Sequence, residues 1–367
     1  MMPVLHQRQL GLLALRLDPW LTGLLLLLMA FGLAVLYSAS DADTGTVWRQ
    51  AVRLGMGLAL MTAASQLTPA GLRRWAPWIY LAGSIMLIAV LLFGVGRGAA
   101  RWLDLGLLRF QPSEIMKIAV PLVVATWLHR KRLPPRLLNF SVGLGLIAVP
   151  VALIALQPDL GTALLIASSG GMILFLSGIR WRWLLLGLGA AAAAAPLMWQ
   201  YLHDYQRNRI LTFLDPESDP LGQGWNIIQS KIAVGTGGLT GRGWLDSTQS
   251  RLEFLPEPHT DFILSVLAEE FGFVGVALLF ALYGAILLRS VYLAAQAREP
   301  FGRMLGAGLV FLFFTYLLVN AAMISGLMPV VGVPLPLVSY GGTSAVTLLT
   351  GFGIIMGLYS RRRMLKR

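Results

Sequence analysis

The sequence predicts an all-α polytopic membrane protein with ten transmembrane helices, both termini on the cytoplasmic side, and one large outer loop. Apolar residues make up 56% of the 367 residues, charged residues make up 13%, and the mean hydropathy is +0.71. A soluble domain of this composition would expose far more apolar surface than water tolerates. Several apolar runs approach the roughly 20 residues that cross the hydrocarbon core as a helix. The alternating strands of a membrane barrel are absent, so helices are the spanning elements expected.

The predicted spans follow one another with short connectors, except at one place. They cover residues 18–37, 50–67, 77–94, 113–129, 140–157, 160–178, 183–202, 260–289, 304–327 and 343–360. The first span is expected to be retained, because no small-residue cleavage site follows its basic N-terminal flank. The segment 203–259 forms the large outer loop, and residues 1–367 are expected to form a single membrane domain. The absence of cysteine excludes disulfides and thiolate chemistry.

The positions of the basic residues predict the orientation. Of the 29 Lys and Arg residues, 18 fall on the termini and on alternate connectors, whose clearest groups are 130–132 and 361–363. Only Asp18 and Glu299 among the acidic residues lie on that side. Positive charge concentrates on cytoplasmic connectors, so this side is predicted to be cytoplasmic. The net charge of +12 is therefore mostly an orientation signal, and nucleic acid is not an expected partner.

The outer loop ends in a cluster of ionisable residues where the chain re-enters the membrane. Glu253, Glu257, His259 and Asp261 fall within nine residues. Asp261 could cap the following helix, and His259 alone could be a solvated interfacial residue. A carboxylate in partly desolvated surroundings has a raised pKa and becomes a usable general base. Asp261 is therefore the candidate catalytic residue.

A second polar group lies within the membrane itself. Glu114 and Lys117 are three residues apart and share one face of the fourth span, and Asp159 lies at the outer turn before the sixth. Charges at this depth are costly and face a partner or a wet cavity. Lys117 could form a structural salt bridge with Asp159 or Glu114, or it could bind an anionic substrate in a cavity that opens outward. The arginines on the same face that could hold phosphate oxygens are Arg49, Arg97, Arg101 and Arg109.

The middle of the outer loop is rich in glycine. Residues 235–243 read GTGGLTGRG, which is either a flexible loop that needs positive φ or a backbone cradle for phosphate. The preceding residues 227–234 have apolar positions at helical spacing and could form a short interfacial helix. The pair Glu269 and Glu270 follows Asp261 by two turns and has no evident role.

Short motifs along nearly the whole chain resemble one family of membrane proteins. They are RWLD at 101–104, FQPSE at 110–114, Lys117, QPDLGT at 157–162, DPESDP at 215–220, QSKIA at 229–233, HTDF at 259–262 and PLPLVSYGG at 334–342. Together they resemble the SEDS family, named for shape, elongation, division and sporulation. The motif at 215–220 favours the elongation branch of that family over the division branch.

The resemblance implies a ten-span peptidoglycan glycosyltransferase that polymerises lipid II at the outer face of the cytoplasmic membrane. It implies a class B penicillin-binding protein as crosslinking partner, within a rod-elongation complex that contains other membrane proteins. The family's outer-loop Asp corresponds to Asp261, and its cavity Lys and turn Asp correspond to Lys117 and Asp159. Arg49 corresponds to the basic residue that opens the second span. Glu114, Arg101 and His259 are further candidates for substrate binding, and a divalent cation, Mg²⁺ or Mn²⁺, is allowed as a cofactor without an identified ligand set.

Two other functions compete with a polymerase. A flippase for the lipid-linked precursor would also need buried charges, but along the whole path through the membrane. The ionisable residues instead concentrate in the outer half. A scaffold that only anchors and activates a transpeptidase would leave Asp261 dispensable.

Overall fold

The computed structural model describes residues 15–95, 101–104, 109–179, 204–215, 223–248, 254 and 258–364, with scattered residues between 183 and 200. In these residues the regular secondary structure is helical apart from one short antiparallel hairpin, β1 (Leu103–Asp104) with β2 (Arg109–Phe110). The helices are α1 (Pro19–Ala39), α2 (Thr44–Ser65), α3 (Pro69–Phe93), α4 (Pro112–His129), α5 (Leu137–Ala155), α6 (Leu160–Leu176), α7 (Asp204–Leu214), α8 (Gln223–Thr236), α9 (Ile263–Ala295), α10 (Pro300–Ile324) and α11 (Gly342–Met364).

The all-helical prediction is confirmed, and nine of the ten predicted spans coincide with a described helix. Six helices are long and apolar enough to cross a membrane, namely α1, α3, α5, α9, α10 and α11. Helix α2 contains two arginines in its first half, and α4 contains the Glu114–Lys117 pair, so both are less apolar. The seventh predicted span, 183–202, lies largely outside the described residues. The count of ten spans and their orientation stay predictions.

Local signals in the sequence explain where the helices begin. Asp18, Asp43, Thr68 and Asp159 precede α1, α2, α3 and α6, and each side chain accepts a hydrogen bond from a first-turn amide. Such caps satisfy amide groups that have no partner inside the helix. Helices α1, α3, α4 and α10 also begin with proline, whose missing N–H costs nothing at this position.

Helix α4 lies largely inside the bundle. It packs against α3, α5, α6, α10 and α11, and most of its side chains are buried. Helices α2 and α11 approach each other most closely. A Cβ at Gly353 would lie 2.1 Å from the backbone oxygen of Met61, and one at Gly357 would lie 2.4 Å from that of Ser65. Small residues four apart let membrane helices touch backbone to backbone.

Helix α9 is broken near its first third. At 33 residues it exceeds one membrane thickness, and Gly272 has φ 61° and ψ −162° inside it. A break of this kind leaves backbone groups without helical partners. The glycine-rich segment 237–243 supplies those partners, since the amides of Arg242 and Gly243 donate to the oxygens of Glu269 and Glu270 at 3.0 Å.

The other side of the break is satisfied by the same segment. The amides of Phe273 and Val274 donate to the oxygens of Gly238 and Leu239 at 2.9 and 3.1 Å. Gly238, Gly241 and Gly243 have positive φ, as one of the two sequence interpretations of this segment requires. The segment is therefore a packed insertion in a broken helix, and it gives hydrogen-bond partners to backbone groups that the break leaves without them.

Candidate active site

A cavity of about 1180 Å³ opens between the first turns of α4, α6 and α11, the second half of α10, and the 328–342 loop. Four of the seven predicted site residues line it: Arg101, Glu114, Lys117 and Asp159. The structure places these four residues on one cavity, which was one of the two arrangements that the sequence left open for Lys117. Their ligand-binding role stays a prediction.

Lys117 lies at the base of this cavity. Its ammonium donates to Glu114 Oε1 at 2.7 Å and also to the hydroxyl of Tyr316 on α10, whose ring lies 5.1 Å from the ammonium. Both charges are almost fully buried. The salt bridge anticipated within α4 is thus present, and it forms part of the cavity wall. An ammonium has three N–H donors, and two of them are used in these contacts.

Asp159 holds the wall formed by α6. Its carboxylate caps α6 through the amide of Thr162 at 3.2 Å, and it accepts from Gln111 at 3.4 Å. The guanidinium of Arg101 lies 3.8 Å from the same carboxylate and donates to the backbone oxygen of Pro158. Asp159 therefore joins three segments of the cavity: the hairpin region, the start of α4 and the start of α6.

Arg53 is a cavity residue that the sequence analysis missed. Its guanidinium stacks 4.6 Å from the ring centre of Tyr340 and packs against Gly342, where a Cβ would lie only 3.2 Å from Arg53 Nε. Arg53 follows Arg49 by four residues, so it lies on the same helical face. That spacing makes Arg53 a candidate beside Arg49, but it does not show which of the two points to the cavity.

Arg49 lies at the rim rather than in the cavity. It donates to Thr46 at 2.7 Å and is 3.5 Å from Asp43, with 57% of its side chain exposed. Burial raises the pKa of Tyr340, but hydrogen bonds from Arg49 and Arg53 and the charge of Arg53 outweigh it, so the net shift is below the usual value. Arg49 is thus connected to the cavity through Tyr340.

Asp261 lies beside the cavity wall formed by Gly332. A Cβ at Gly332, which has φ 71°, would lie 3.4 Å from Asp261 Oδ2. Gly332 itself lines the cavity. Helix α9 begins at Ile263 with Phe262 in the capping position, so Asp261 lies one residue before the position that the helix geometry assigns to the cap.

The backbone of Asp261 is held by a side chain that no sequence motif indicated. Asn320, fully buried on α10, donates through Nδ2 to the backbone oxygens of Asp261 and Val333, at 2.9 and 2.8 Å. One amide group thus ties the segment before α9 to the cavity-lining loop. His259 makes a second connection to this loop. Its backbone oxygen accepts a hydrogen bond from the amide of Tyr340 at 2.8 Å, and the centres of the two rings lie 5.8 Å apart.

The 328–342 loop is itself fixed by buried polar contacts. Gln50 donates to the oxygen of Ser339 at 3.2 Å, the hydroxyl of Tyr283 donates to the oxygen of Pro336 at 2.6 Å, and Ser339 accepts from the amide of Leu335 at 2.8 Å. A loop pinned in this way presents a preformed wall to a ligand.

The residues that line the cavity include buried polar atoms without a hydrogen-bond partner within the described part of the chain. These atoms are Arg53 Nη1, Arg101 Nε and Glu114 Oε2. Buried polar groups without a partner are costly and normally bind water or a ligand. The charged residues that line the cavity are Arg53, Arg101, Lys117, Glu114 and Asp159. Three are cations and two are carboxylates, so the lining has a net positive charge, which favours an anionic ligand.

The pair Glu269 and Glu270 has a structural position. Glu269 accepts from Ser247 Oγ at 2.7 Å and from the amide and hydroxyl of Thr248 at 2.9 and 2.7 Å, and Glu270 accepts from Ser38. These contacts join the outer loop and α1 to the break in α9.

Glu253, Glu257, Arg97 and the side chain of Arg109 lie outside the described residues. No group of three or more His, Asp and Glu side chains suited to a metal ion occurs in the described part of the chain, so no ligand set for Mg²⁺ or Mn²⁺ is identified.

Comparisons of the sequence and of the structure with known proteins lead to the same family. The model of the FtsW, RodA and SpoVE family, described as cell cycle protein, matches residues 19–364. Peptidoglycan glycosyltransferase MrdB of Escherichia coli K12 is 51% identical over 353 residues, which cover 96% of this chain and 95% of that protein. The probable peptidoglycan glycosyltransferase FtsW of Geobacter metallireducens is 36% identical over 360 residues, which cover 93% and 95%.

Two solved structures share the fold. A chain from a peptidoglycan synthase complex, solved for the structural coordination of polymerization and crosslinking, has a TM-score of 0.82 and 36% identity, covering 94% of this chain and 98% of its own. The rod shape determining protein RodA of Thermus thermophilus has a TM-score of 0.71 and 32% identity, covering 94% and 97%.

Proposed function

The chain belongs to the FtsW, RodA and SpoVE family of cell cycle proteins, and from this we propose that it is a RodA-like peptidoglycan glycosyltransferase. It joins lipid II disaccharides into glycan strands during the elongation of rod-shaped cells. The recognition of the SEDS family from sequence motifs is confirmed by the family match. The activity follows from the names of relatives that this chain resembles over nearly its whole length.

One observation supports the chemistry above all. Asp261 lies beside a cavity that contains Arg53, Arg101 and Lys117. A carboxylate beside a cationic cavity is what the transfer of a sugar from a pyrophosphate requires: a base for the attacking hydroxyl and positive charge for the leaving group. The guanidinium groups of Arg53 and Arg101 line the cavity. Such groups suit phosphate oxygens, which accept from arginine in two-pronged contacts.

We propose a single inverting displacement. The 4-hydroxyl of the acceptor sugar gives its proton to the carboxylate of Asp261, and its oxygen attacks the anomeric carbon of the donor. The new glycosidic C–O bond forms as the bond from that carbon to the phosphate oxygen breaks. The bonding electron pair leaves with undecaprenyl pyrophosphate, whose charge is stabilised by Lys117 and Arg53, with Arg49 at the rim. Base catalysis of this kind contributes about 10²–10⁴-fold.

The other polar residues act by orientation. The Glu114 salt bridge keeps Lys117 in place, and Asp159 together with Arg101 keeps the wall of α6 against α4. His259 holds the chain before Asp261 against Tyr340. A divalent cation would supply further charge for the leaving group, and no step above depends on it. No nucleotide is needed, since the sugar–pyrophosphate bond supplies the free energy.

The protein is proposed to span the cytoplasmic membrane ten times, with the cavity on the outer side. The positive-inside distribution of Lys and Arg supports this orientation. The structural match to a synthase complex supports a crosslinking transpeptidase as partner. We propose a class B penicillin-binding protein, accompanied by other membrane proteins of the elongation complex.

The decisive experiment uses the purified full-length protein with lipid II, and detects glycan strands on gels. Replacing Asp261 by Ala or Asn should abolish polymer formation while lipid II binding stays largely intact. Asp246→Asn is the matched control, because Asp246 is an exposed carboxylate of the same outer loop. Normal polymerisation by the Asp261 variants would refute the role of the base.

The same preparation separates the competing functions. Liposomes that present lipid II on the outside only should still yield polymer, whereas a flippase would move lipid II across the bilayer without joining it. If the protein is only a scaffold, the purified protein should form no polymer unless another polymerase is added. The amount of polymer would then not change with the Asp261 substitutions.

A further inference from the structure

A second cavity, of about 550 Å³, lies at the opposite end of the helix bundle. Helices α3 and α10 begin here, and α11 ends here, whereas the active-site cavity lies at the end of α10 and the start of α11. Four charged residues line this cavity: Arg16, Arg73, Arg298 and Glu299. The remaining lining is mostly apolar and comes from Pro69, Ala70, Ala297, Gly302 and Leu358. We call it the basic pocket.

The charges of the basic pocket do not cancel. Arg73 forms an ion pair with Glu299 and stacks 5.3 Å from the ring of Phe301. Arg16 donates to the backbone oxygen of Gln66 at 3.0 Å and has no acidic partner among the described residues. Arg298 is exposed. Two positive charges therefore remain, and the N-terminal turns of α3 and α10 add the partial positive charge of their unpaired amides.

The depth of the basic pocket relative to the membrane can be read from neighbouring tryptophans. Trp20, Trp75 and Trp78 are all strongly exposed near this end of α1 and α3. Exposed tryptophan is enriched at the level where lipid headgroups meet the hydrocarbon core. Arg16 and Arg73 lie within a few residues of this belt, on its water side, so the basic pocket lies at headgroup depth.

We propose that the basic pocket binds the phosphodiester headgroup of an anionic phospholipid. Arginine side chains hold phosphate oxygens through charge-assisted hydrogen bonds, and the volume lies in the range of pockets that enclose a small ligand. The apolar lining suits the glycerol backbone and the upper acyl chains. This end is also the one predicted to face the cytoplasm, where anionic lipids attract clustered arginines.

The position of the basic pocket predicts what lipid binding does. The basic pocket joins the segment before α1, the start of α3, the connector that leads into α10, and the end of α11. These four segments are far apart in the sequence. A headgroup bound there stabilises the folded bundle, because a ligand that binds only the folded state raises its stability by mass action. The lipid does not enter the reaction at the other end of the bundle.

The test is native mass spectrometry and thermal unfolding of the full-length protein in detergent, titrated with phosphatidylglycerol. Phosphatidylethanolamine and inorganic phosphate are titrated separately. We expect phosphatidylglycerol to bind at least about tenfold more tightly than phosphatidylethanolamine and to raise Tm. Each of Arg16→Gln and Arg298→Gln should weaken phosphatidylglycerol binding by about fivefold, since one arginine near a membrane surface contributes of that order.

Three comparisons keep the result interpretable. Arg74→Gln removes an exposed arginine adjacent to Arg73 that does not line the basic pocket, and it should leave lipid binding unchanged. Arg298→Lys keeps the charge and should retain most of the affinity. Polymerisation of lipid II by these variants reports correct folding, so a loss of lipid binding with retained activity supports the proposal.

Several outcomes would overturn it. Equal binding of both phospholipids, or unchanged phosphatidylglycerol binding in the double variant Arg16→Gln/Arg298→Gln, would show that the basic pocket is not a headgroup site. Stabilisation by millimolar inorganic phosphate without stabilisation by phosphatidylglycerol would assign the pocket to a soluble phosphate ligand instead.

Discussion

The side-chain amide nitrogen of Asn320 lies 2.9 Å from the backbone oxygen of Asp261. The two residues are 59 positions apart in the sequence, and Asn320 is fully buried on α10. The same nitrogen also holds Val333 of the cavity wall. Asn320 is therefore a positioning residue: it sets where the proposed base lies relative to the cavity without touching the substrate itself.

Replacing Asn320 by Ala should lower turnover more than substrate binding. The change leaves two backbone oxygens without their donor, which costs about 1–3 kcal/mol of stability. It also frees the segment that carries Asp261, and a misplacement of about 1 Å can cost on the order of 100-fold in rate. We expect kcat to fall by about 10- to 100-fold, with KM for lipid II changed by less than about threefold.

Thr315→Val is the control for this prediction, because it removes a buried hydroxyl of the same helix that bonds only within α10. Turnover by that variant should stay near wild type. A fully active Asn320→Ala protein, measured below its own Tm, would contradict the positioning role.

The two arginines of α2 should differ in their effect on polymerisation. Arg53 lines the cavity with an unsatisfied guanidinium nitrogen, whereas Arg49 is largely exposed at the rim and pairs with Asp43. Hydrogen bonds to charged groups are each worth about 1.5–3 kcal/mol, whereas exposed ion pairs contribute less than about 1 kcal/mol. Arg53→Gln should thus lower kcat/KM by about 10- to 100-fold, and Arg49→Gln by about fivefold or less.

Steady-state rates with purified lipid II measure both values under one condition. If Arg49→Gln lowers kcat/KM more than Arg53→Gln does, the pyrophosphate is held by Arg49 at the rim and not by Arg53 in the cavity. Arg53→Lys should recover only part of the loss, because lysine cannot make the two-pronged contact.

Gly332→Ala tests the closeness of Asp261 to the cavity. The added methyl group would lie 3.4 Å from Asp261 Oδ2, in a backbone conformation with φ 71° that costs a non-glycine residue about 1–2 kcal/mol. We expect Tm to fall moderately and polymerisation to fall by about tenfold or more, because the methyl group narrows access to the carboxylate.

The control for this change is Gly178→Ala, which has similar strain at φ 88° but only ordinary contacts with Pro134. It should lower Tm to a similar degree and leave the activity of the folded fraction unchanged. Equal activity losses in the two variants would mean that strain, and not access to Asp261, explains the effect.

Gly272→Ala tests the break in α9. A Cβ at Gly272 would lie 2.4 Å from the amide nitrogen of Gly241 and 2.7 Å from the carbonyl of Leu239, at φ 61°. Backbone strain and overpacking together should cost about 3 kcal/mol or more. We expect poor folding or a large fall in Tm, measured by thermal unfolding in detergent.

Gly284→Ala provides a comparison within the same helix, because a Cβ there meets nothing within 4 Å. Alanine is the better helix former by about 1 kcal/mol, so this variant should be as stable as the wild type or more so. Similar behaviour of the two variants would rule out the packed insertion of the 237–243 segment.

Much of the site could be predicted because its signals are local. Glu114 and Lys117 are three residues apart on one helix, so their contact follows from helix geometry alone. Asp159 precedes a helix, and Asp followed by a helix start predicts a cap. Arg53 was missed although its four-residue spacing from Arg49 was visible, because neither spacing nor residue type shows which of two arginines on one face points to a cavity.

The sequence by itself determined the membrane class, the positions of most helices and the family, since apolar runs, caps and short motifs are properties of contiguous residues. Only the tertiary structure brought Asp261 beside Gly332 and inserted the glycine-rich segment 237–243 into the break of α9. It also placed Asn320 where its side chain donates to the backbone oxygens of both Asp261 and Val333. These contacts join residues 13 to 71 positions apart. They form because buried backbone groups must find partners wherever the packed helices offer them.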